Sequence, residues 1–387
     1  WTQIGQDIDG ENAEDMTGTS VSLNSAGNIL AVGSTGVEGG ESPNDFTGIV
    51  RVYQNVSGTW TQIGNDINGE GWFDDHGCSV SLNSTGTIVA TGAVGNDGTD
   101  WTDDVGHVRV YQNVSGTWTQ IGDDIDGEAA GDHFGTSISL NSNGTIVAIG
   151  ATNTWDSQDA GYVRVYQNGS GTWTQIGDDI DGKNVEGDVG SGDNFGTSVS
   201  LNSDGTIVAI GTYEQAGGYD GGNYASVYQN VSGTWTQIGD DISGETENDN
   251  NGFSVSLNST GTIVAIGAPA GKLGDGYVRV YQNVSGTWAQ IGNDIDGELA
   301  DASGGSVSLS SDGTSVAIAA TGRPWTGPAI QSGAVCVYQL SEPTPTPTPT
   351  PTIHHVPTPV PQPTPTPVNG GGGGNNPTPT PVNGGGG

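Results

Sequence analysis

Acidic side chains recur in this sequence at a spacing that could bind a metal ion. Six times, Trp-Thr-Gln-Ile-Gly or a close variant is followed by Asp-x-Asp-Gly-Glu or a related segment. Carboxylates at alternate positions, with a glycine that permits a sharp bend, suit a hard cation such as Ca²⁺. The copies with three carboxylates provide the candidate ligands Asp7, Asp9, Glu11, Asp124, Asp126, Glu128, Asp294, Asp296 and Glu298. No bidentate glutamate follows at EF-hand spacing. The alternative is therefore a solvated acidic surface without a bound ion. We expect that the protein requires no cofactor.

The elements that carry these residues belong to an internal repeat. The Trp-Thr-Gln-Ile-Gly string begins at Trp1, Trp60, Trp118, Trp173 and Trp235, and as Trp-Ala-Gln-Ile-Gly at Trp288. Four short segments, which we call a to d, recur in order: Ser-Val-Ser-Leu-Asn-Ser (a), Thr-Ile-Val-Ala-Ile-Gly (b), Val-Arg-Val-Tyr-Gln (c) and the tryptophan string (d). Segments a, c and d alternate in polarity as half-buried strands do, whereas b is nearly all apolar. Glycine-containing links of hairpin type join a to b and c to d. Four antiparallel strands repeated in this way predict the blades of a β-propeller.

The repeat count predicts six blades. The chain begins with a d segment and contains six a, six b and six c segments. Six complete sheets require the N-terminal d strand, Trp1 to Gly5, to close the last sheet, which would leave no free strand edge. We therefore expect an all-β, six-bladed propeller over residues 1–340, with an open β-solenoid as the alternative.

The blades also resemble a known family. Phe134-Gly135-Thr136-Ser137 and Phe195-Gly196-Thr197-Ser198, followed by Ile-Gly-Ala or Ile-Gly-Ala-Pro, resemble the Phe-Gly and Gly-Ala-Pro (FG-GAP) repeats of integrin-α-type propellers. The resemblance implies the same fold. That family usually has seven blades, and its calcium loop lies between strands a and b. This chain has only a short Asn-Ser-x-Gly turn there, so the family's calcium sites are not transferred to it.

Antiparallel order predicts two faces of opposite chemistry. The a–b and c–d turns should emerge on one face, and the b–c loops and d–a crossovers on the other. All acidic residues except Asp204, Asp312 and Glu342 fall on the crossover face or at the strand ends that lead to it. The turn face carries all Asn-x-Ser/Thr sequons, which are acceptors for N-glycans in a secreted protein. Their asparagines are Asn55, Asn83, Asn113, Asn143, Asn168, Asn230, Asn258 and Asn283. The same residue types also favour turns, so a duplicated turn without glycan is the alternative.

The composition changes abruptly after Leu340. Pro-Thr alternation and then glycine runs fill residues 341–387, which predicts an extended polyproline II and polyglycine tail. Such tails resemble those of cell-surface hydroxyproline-rich glycoproteins, which implies O-glycosylation. The candidate threonines are Thr344, Thr346, Thr348, Thr350, Thr352, Thr358, Thr364, Thr366, Thr378 and Thr380. A flexible linker is the alternative.

Charge and composition exclude several classes of function. The formal net charge is −37, so the surface repels the phosphate backbone of nucleic acids and attracts divalent cations or basic partners. No apolar run is long enough to span a bilayer, and we find no signal peptide. Because the sequence begins at Trp1, we expect a mature or excised segment. Cys78 and Cys336 are too few for a disulfide framework and should be small buried residues.

No catalytic constellation is visible in the sequence. The five histidines are scattered, and no nucleophile motif, phosphate loop or zinc-spaced Cys/His cluster occurs. Glycosidases with this fold need two carboxylates in different environments, whereas here one motif recurs around the ring. Four arginines of c strands, Arg51, Arg109, Arg164 and Arg279, should pair with carboxylates of neighbouring blades or cover apolar surface with their stems.

We therefore expect a non-enzymatic, extracellular structural subunit of a glycoprotein filament or surface coat. The propeller would be a rigid bead, and self-association through the tail would link the beads. The alternative is an adhesion or lectin-like propeller on a stalk that binds a glycan or basic protein with its acidic, calcium-loaded face.

Overall fold

The repeated segments form six antiparallel sheets. The computed structural model describes residues 2–12, 15–36, 47–96, 104–152, 160–183, 193–213, 223–246, 248–298, 302–321 and 334–340. Sheet 1 contains Thr17–Leu23 (β1), Ile29–Ser34 (β2), Ile49–Val56 (β3), Thr59–Gln62 (β4) and Ile67–Asn68 (β5). Sheet 2 contains Val80–Leu82 (β6), Ile88–Ala93 (β7), His107–Val114 (β8), Thr117–Gln120 (β9) and Ile125–Asp126 (β10). Sheet 3 contains Ser137–Leu140 (β11), Ile146–Ala151 (β12), Tyr162–Gly169 (β13), Thr172–Gln175 (β14) and Ile180–Asp181 (β15).

The second half of the molecule repeats this pattern. Sheet 4 contains Ser198–Leu201 (β16), Ile207–Gly211 (β17), Tyr224–Val231 (β18), Thr234–Gln237 (β19) and Ile242–Ser243 (β20). Sheet 5 contains Ser254–Leu257 (β21), Ile263–Ala268 (β22), Tyr277–Val284 (β23), Thr287–Gln290 (β24) and Ile295–Asp296 (β25), with a one-turn helix at Gly271–Gly274. Sheet 6 contains Ser303–Leu309 (β26), Ser315–Ala320 (β27) and Ala334–Gln339 (β28).

Strand order confirms the predicted six-bladed β-propeller. In sheets 1 to 5 the strands lie in the order a, b, c, d, each antiparallel to the next, and a two-residue strand beyond d pairs again with c. The a–b and c–d turns therefore lie at one end of each sheet, and the b–c loops and crossovers at the other. This short fifth strand was not predicted, because two residues carry no detectable periodicity.

The c–d turns show why their sequence is repeated. Val56 pairs with Thr59, so the loop contains only Ser57 and Gly58. Both have positive φ, 54° and 86°, as a type I′ hairpin requires. Because this turn type matches the right-handed twist of the strands, it fixes the register of β3 and β4.

The core lies between consecutive sheets. Five apolar clusters occur in the described residues, one at each interface from sheets 1 and 2 to sheets 5 and 6. Two hydrogen bonds recur at these interfaces. At the interface of sheets 2 and 3, the Ser79 hydroxyl donates to the Gly135 carbonyl at 2.6 Å, and the Leu140 N–H donates to the Ser81 hydroxyl at 2.9 Å.

A glycine at the end of each b strand sets the spacing of the sheets. A Cβ built on Gly150 would overlap the carbonyl oxygen of Gly196 in the next sheet. A Cβ on Gly33, Gly92, Gly211 or Gly267 would likewise overlap the carbonyl oxygen of the equivalent glycine in the next sheet. The corresponding residue of sheet 6 is Ala319. Sheet 6 therefore cannot pack on another sheet at the spacing that the other five interfaces use.

The predicted closure of sheet 6 by residues 1–5 needs correction. In the described part of the chain, Thr2–Gly5 form no strand, and sheet 6 contains three strands. The segment does keep the contact that each d segment makes with the following sheet, because the Trp60 indole N–H donates to the Ile4 carbonyl at 2.8 Å as Trp118 does to Ile63. We infer that the Ala319 methyl group opposes the approach of sheet 6, because a Cβ at the aligned glycines would overlap a carbonyl oxygen of the next sheet.

Three further features concern membrane-spanning helices, the division of the chain into units and the C-terminal tail. No helix among the described residues is both long and apolar enough to cross a membrane. The chain divides into two compact units, Trp1–Leu340 and Ser341–Gly387. The predicted polyproline II tail and its candidate threonines lie outside the described residues.

Candidate functional site

A repeated ion-pair cluster occupies the crossover end of the blades. In sheet 3, Arg164 of β13 donates to both carboxylate oxygens of Asp179 at 2.8 and 2.7 Å. The same guanidinium reaches Glu128, in the crossover that leaves sheet 2, at 2.8 Å. Arg279 binds both oxygens of Asp294 and reaches Glu245, whereas Arg51 and Arg109 donate twice to the Oδ2 atoms of Asp66 and Asp124 and reach Glu11 and Glu70. This confirms that the c-strand arginines pair with neighbouring blades, and each also binds an aspartate of its own blade.

The fourth copy keeps the cluster with its charges exchanged. Ser226 stands where sheets 1, 2, 3 and 5 have arginine, and Lys183 stands where the preceding crossover otherwise has glutamate. The Ser226 hydroxyl donates to Asp241 at 2.6 Å, and the Lys183 ammonium binds the other oxygen of that carboxylate. At least one cation therefore neutralises the central aspartate in every copy from sheet 1 to sheet 5. In sheet 4 it comes from the preceding crossover, and in sheet 5 Lys272 joins Arg279 on Asp294.

The ion pairs change how these groups titrate. Hydrogen bonds from Arg164 lower the pKa of Asp179 against the opposing effect of burial. Hydrogen bonds from Arg279 likewise lower the pKa of Asp294 well below its usual range. These aspartates are thus ionised at neutral pH and act as fixed partners of the arginines. This arrangement stabilises neighbouring blades rather than preparing an acid or a base.

A second set of aspartates organises the crossovers and was not predicted. Asp132 is 3% exposed and accepts hydrogen bonds from the Glu128 N–H at 2.9 Å, the Ala129 N–H at 3.0 Å and the Tyr162 hydroxyl at 2.7 Å. Asp15, Asp74, Asp193 and Asp249 are buried in the same way. A signal was present in the sequence, because Asp-x-x-Gly-x-Ser precedes every a strand. These buried carboxylates hold the crossover glutamates near the arginines.

The predicted calcium ligands are largely engaged with cations of the chain itself. Asp124 and Glu11 bind arginines, as do Glu128 and Asp294. Asp296 binds Lys272, and Asp7 accepts a hydrogen bond from Gln3. Asp9 is exposed, and Glu298 takes part in a further interaction. Among the described residues, the one group of three potential ligands is His107, Asp124 and Asp126, with ligand atoms all within 4.8 Å of one another. A ring of equivalent calcium loops stays a prediction.

The five sequons of the c–d turns share one local structure. The side-chain oxygen of each asparagine accepts a hydrogen bond from the glycine N–H three residues later, as Asn55 does from Gly58 at 3.0 Å. The Nδ2 atoms of Asn55, Asn168 and Asn230 are buried without a partner. Nδ2 is the atom to which an N-glycan is attached, so modification there requires the side chain to turn outward. The corresponding Nδ2 atoms of Asn113 and Asn283 are not among the buried unpaired atoms.

The three sequons of the a–b turns differ in accessibility. Asn83 and Asn258 are 3% and 4% exposed, and their Nδ2 atoms donate to threonines within the turn. Asn143 sits two residues later in its turn and is exposed. Its Oδ1 accepts a hydrogen bond from the Thr145 hydroxyl at 2.5 Å, which leaves the amide nitrogen toward solvent. Asn143 is the a–b site that is best placed to carry a glycan.

Of the two cysteines, Cys336 is exposed, whereas the histidines His76 and His107 are both buried. Cys78 lies at an inter-blade contact, and burial raises the pKa of its thiol to about 11. Cys336 is exposed, so its predicted burial is wrong. This exposure follows from the open side of sheet 6. His76 and His107 are buried in sheet 2 and the crossover that precedes it.

Comparison with known proteins supports the fold. No family model and no curated protein matches the sequence. A structure of a putative 6-phosphogluconolactonase from Bacteroides uniformis is similar with a TM-score of 0.52 and 13% identity, over 83% of this chain and 88% of that one. The Kuenenia stuttgartiensis hydrazine synthase has a TM-score of 0.50 and 11% identity, over 82% and 77%. At such identities, similarity shows the fold alone. These similarities, together with the strand order, show that the chain is a β-propeller.

Proposed function

We propose that this chain is a non-enzymatic structural subunit of an extracellular glycoprotein filament or surface coat, in which propellers act as rigid beads. The observation that carries the proposal is a pair of exposed, matching sheet faces on sheets 1 and 6. At the other five interfaces, faces of the same composition are buried against each other. We infer that the exposed faces meet between copies of the chain.

The exposed face of sheet 1 is apolar. Val21 is 62% exposed and Leu23 is 57% exposed, whereas their counterparts in sheet 2, Val80 and Leu82, are 9% and 7% exposed. Contiguous apolar surface of this kind marks an interaction site on a soluble protein. Sheet 1 therefore presents the surface that every following sheet uses to pack on its predecessor.

The exposed face of sheet 6 is the complementary one. Val335 and Val337 of β28 are 72% and 45% exposed, whereas Val108 and Val110 of β8 are fully buried at 0% and 1%. In addition, none of the described residues forms a fourth strand beside β28, so its outer edge pairs with no strand of the described sheet. Such an edge is a template for strand addition.

The segment Trp1 to Gly5 of a second copy is the occupant we infer for this edge. It has the d-strand sequence, and the register in sheets 1 to 5 would pair Tyr338 with Gln3 and Gln339 with Thr2. Residues 2–5 already lie against sheet 1 of their own copy, so this pairing would bring sheet 6 of one copy onto sheet 1 of the next. A heterologous contact of this type extends into a filament unless its rotation closes a ring.

Ala319 favours assembly between copies over closure within one copy. Inside a ring, five interfaces of fixed spacing determine the sixth, and the Ala319 methyl group does not fit that spacing. Between copies, no such constraint applies, and the contact can open by the width of a methyl group. The resemblance to integrin-α-type repeats, the sequons and the Pro/Thr tail support an extracellular setting.

Association should be measured on the full chain secreted from eukaryotic cells. We expect sedimentation velocity between about 1 and 100 µM to show growing end-to-end species, and electron microscopy to show linear arrays. Val335→Asp together with Val337→Asp should weaken association at least tenfold, because burial of each valine contributes about 1.5–3 kcal/mol.

Val56→Asp with Val114→Asp is the matched control. These valines are 56% and 54% exposed in c–d turns, away from the two faces, so this variant should associate like the wild type. A chain that stays monomeric at 100 µM, or equal association of the two double variants, would refute the proposal. A monomer that binds a glycan or basic protein through its acidic face would favour the adhesion alternative.

A further inference from the structure

The interface between sheets 1 and 2 differs from its neighbours at two aligned positions. At the next two interfaces, an aromatic pair fills this place: the rings of Phe134 and Tyr162 lie 6.1 Å apart, and those of Phe195 and Tyr224 lie 6.4 Å apart. The residues aligned with these pairs by the repeat are His76 and His107. The later repeats have Asn251 with Tyr277 and Ser303 with Ala334 at these positions, so the pair of imidazoles occurs in one repeat alone.

Both imidazoles are buried without satisfying their nitrogen atoms. His76 is 0% exposed and neither ring nitrogen has a hydrogen-bond partner, and His107 is 1% exposed with an unpartnered Nε2. A neutral imidazole has one ring nitrogen with a free lone pair that can bind a metal.

Carboxylates stand beside His107. Asp126 lies directly opposite His107 in the register of β8 and β10. Ligand atoms of His107, Asp124 and Asp126 all lie within 4.8 Å of one another. Asp126 is exposed and Asp124 is partly exposed, so an ion can reach the group from solvent. Imidazole nitrogen and carboxylate oxygen are both ligands of Zn²⁺, and three protein ligands leave the fourth position of a tetrahedral site open.

The surrounding charges also favour a divalent cation. Arg109 donates to the Oδ2 atom of Asp124 at 2.9 Å and also binds Glu70. Three carboxylates, those of Glu70, Asp124 and Asp126, therefore surround one guanidinium. Each carboxylate oxygen has two lone pairs, so Asp124 can bind a metal while it keeps its hydrogen bonds to Arg109 and Gln120.

We propose that His107, Asp124 and Asp126 form a zinc-binding site, with water completing the coordination. Imidazole nitrogen selects Zn²⁺ over Ca²⁺, which prefers six to eight oxygen ligands. Among the described residues, this group of three ligands occurs once. An ion bound there would link the c strand of sheet 2 (β8) to its short fifth strand (β10). This site does not depend on the proposed filament function.

The test uses substitutions that the chain itself contains at aligned positions. His107→Tyr introduces the residue that sheet 3 has at this position, and Asp126→Asn introduces the residue that sheet 1 has as Asn68, so both variants should fold. His133→Asn, which copies the residue found as Asn194, is the matched control. All variants carry His354→Ala and His355→Ala, which removes the histidine pair of the tail as a competing ligand.

Binding is measured by titrating chelator-treated protein with Zn²⁺ in a calorimeter and by the visible absorption of bound Co²⁺. We expect one Zn²⁺ per chain in the background protein and in His133→Asn. His107→Tyr and Asp126→Asn should each weaken binding at least about tenfold and remove the Co²⁺ absorption.

Two results would overturn the assignment. The first is no Zn²⁺ binding by the background protein at 100 µM of each component. The second is equal binding by His107→Tyr, Asp126→Asn and the control, which would mean that the ion sits elsewhere on the acidic surface. Circular dichroism and the melting temperature of each variant establish that it is folded.

Discussion

The exchange of residue types at Lys183 and Ser226 predicts the direction in which substitutions change the stability of the propeller. Lys183→Glu restores the glutamate of the other copies but leaves Asp241 without a cation. Ser226→Arg restores the arginine but brings it beside Lys183. Each single change should destabilise the propeller, whereas the double variant rebuilds the cluster seen around Arg164 and should be close to the wild type.

The structure sets the size of these effects. The Lys183 side chain is 61% exposed, so losing its pair with Asp241 costs at most about 1 kcal/mol. Two carboxylates about 4 Å apart repel by roughly 1–4 kcal/mol at effective dielectric constants between water and the protein surface, and rotation of the introduced glutamate into solvent keeps this near the lower end. We expect Lys183→Glu to cost about 1–2 kcal/mol. The coupling energy with Ser226→Arg should be about 1–2 kcal/mol and favourable.

Urea denaturation of the four proteins, followed by tryptophan fluorescence, measures this coupling. Glu128→Lys and Arg164→Ser form the mirror cycle in sheet 3, since together they copy the arrangement of sheet 4. If the double variants are destabilised by the sum of the single changes, the clusters are not coupled units, and the interpretation of the exchange is wrong.

Four further predictions concern the ion pairs, a buried aspartate, the sequons and the glycines between blades. Because hydrogen bonds from arginine lower the pKa values of Asp179 and Asp294 below those in the unfolded chain, their stabilisation is complete above about pH 4 and is lost as the pH falls further; urea midpoints between pH 7 and about pH 2.5 should show this fall. Asp132→Asn should cost about 2–3 kcal/mol, because a buried carboxylate with three donors is replaced by an amide, and thermal unfolding beside the exposed Asp123→Asn checks this. Glycopeptide mass spectrometry should find Asn143 occupied and Asn83 and Asn258 bare; full occupancy of the last two would contradict their burial. Gly150→Ala should cost about 1–3 kcal/mol through overlap with Gly196, whereas Ala319→Gly should change stability by less than about 1 kcal/mol, as denaturant midpoints would show.

The repeat allowed most of the fold to be predicted. Each segment recurs with the same polarity pattern, so its assignment as a strand does not depend on a single copy. Strand order and the c–d turns, such as the one at Ser57 and Gly58, were therefore predictable from the sequence. The closure of sheet 6 did not. It depends on a single methyl group at Ala319, whose obstacle is a carbonyl oxygen of a neighbouring sheet rather than a residue near in sequence.

The candidate sites were harder to predict than the fold. The sequence indicated the carboxylate motif of Asp124 and Glu128 and the pairing of arginines across blades. It did not indicate that each arginine also binds an aspartate of its own blade. Asp132 and its equivalents were overlooked because an acidic residue in a crossover is expected to be exposed. The meaning of His107 likewise appears only when its burial and its neighbour Asp126 are known.

The shared arginine clusters also limit how this molecule could be lengthened or shortened. Each cluster draws on two consecutive repeats, so the first three repeats could be deleted or duplicated as whole units without creating a charge mismatch. Excision of sheet 4 alone would instead place Lys183 next to Arg279, as a third cation beside an aspartate that already binds Arg279 and Lys272. Changes in the number of blades, in evolution or by engineering, should therefore be tolerated before this junction and resisted across it.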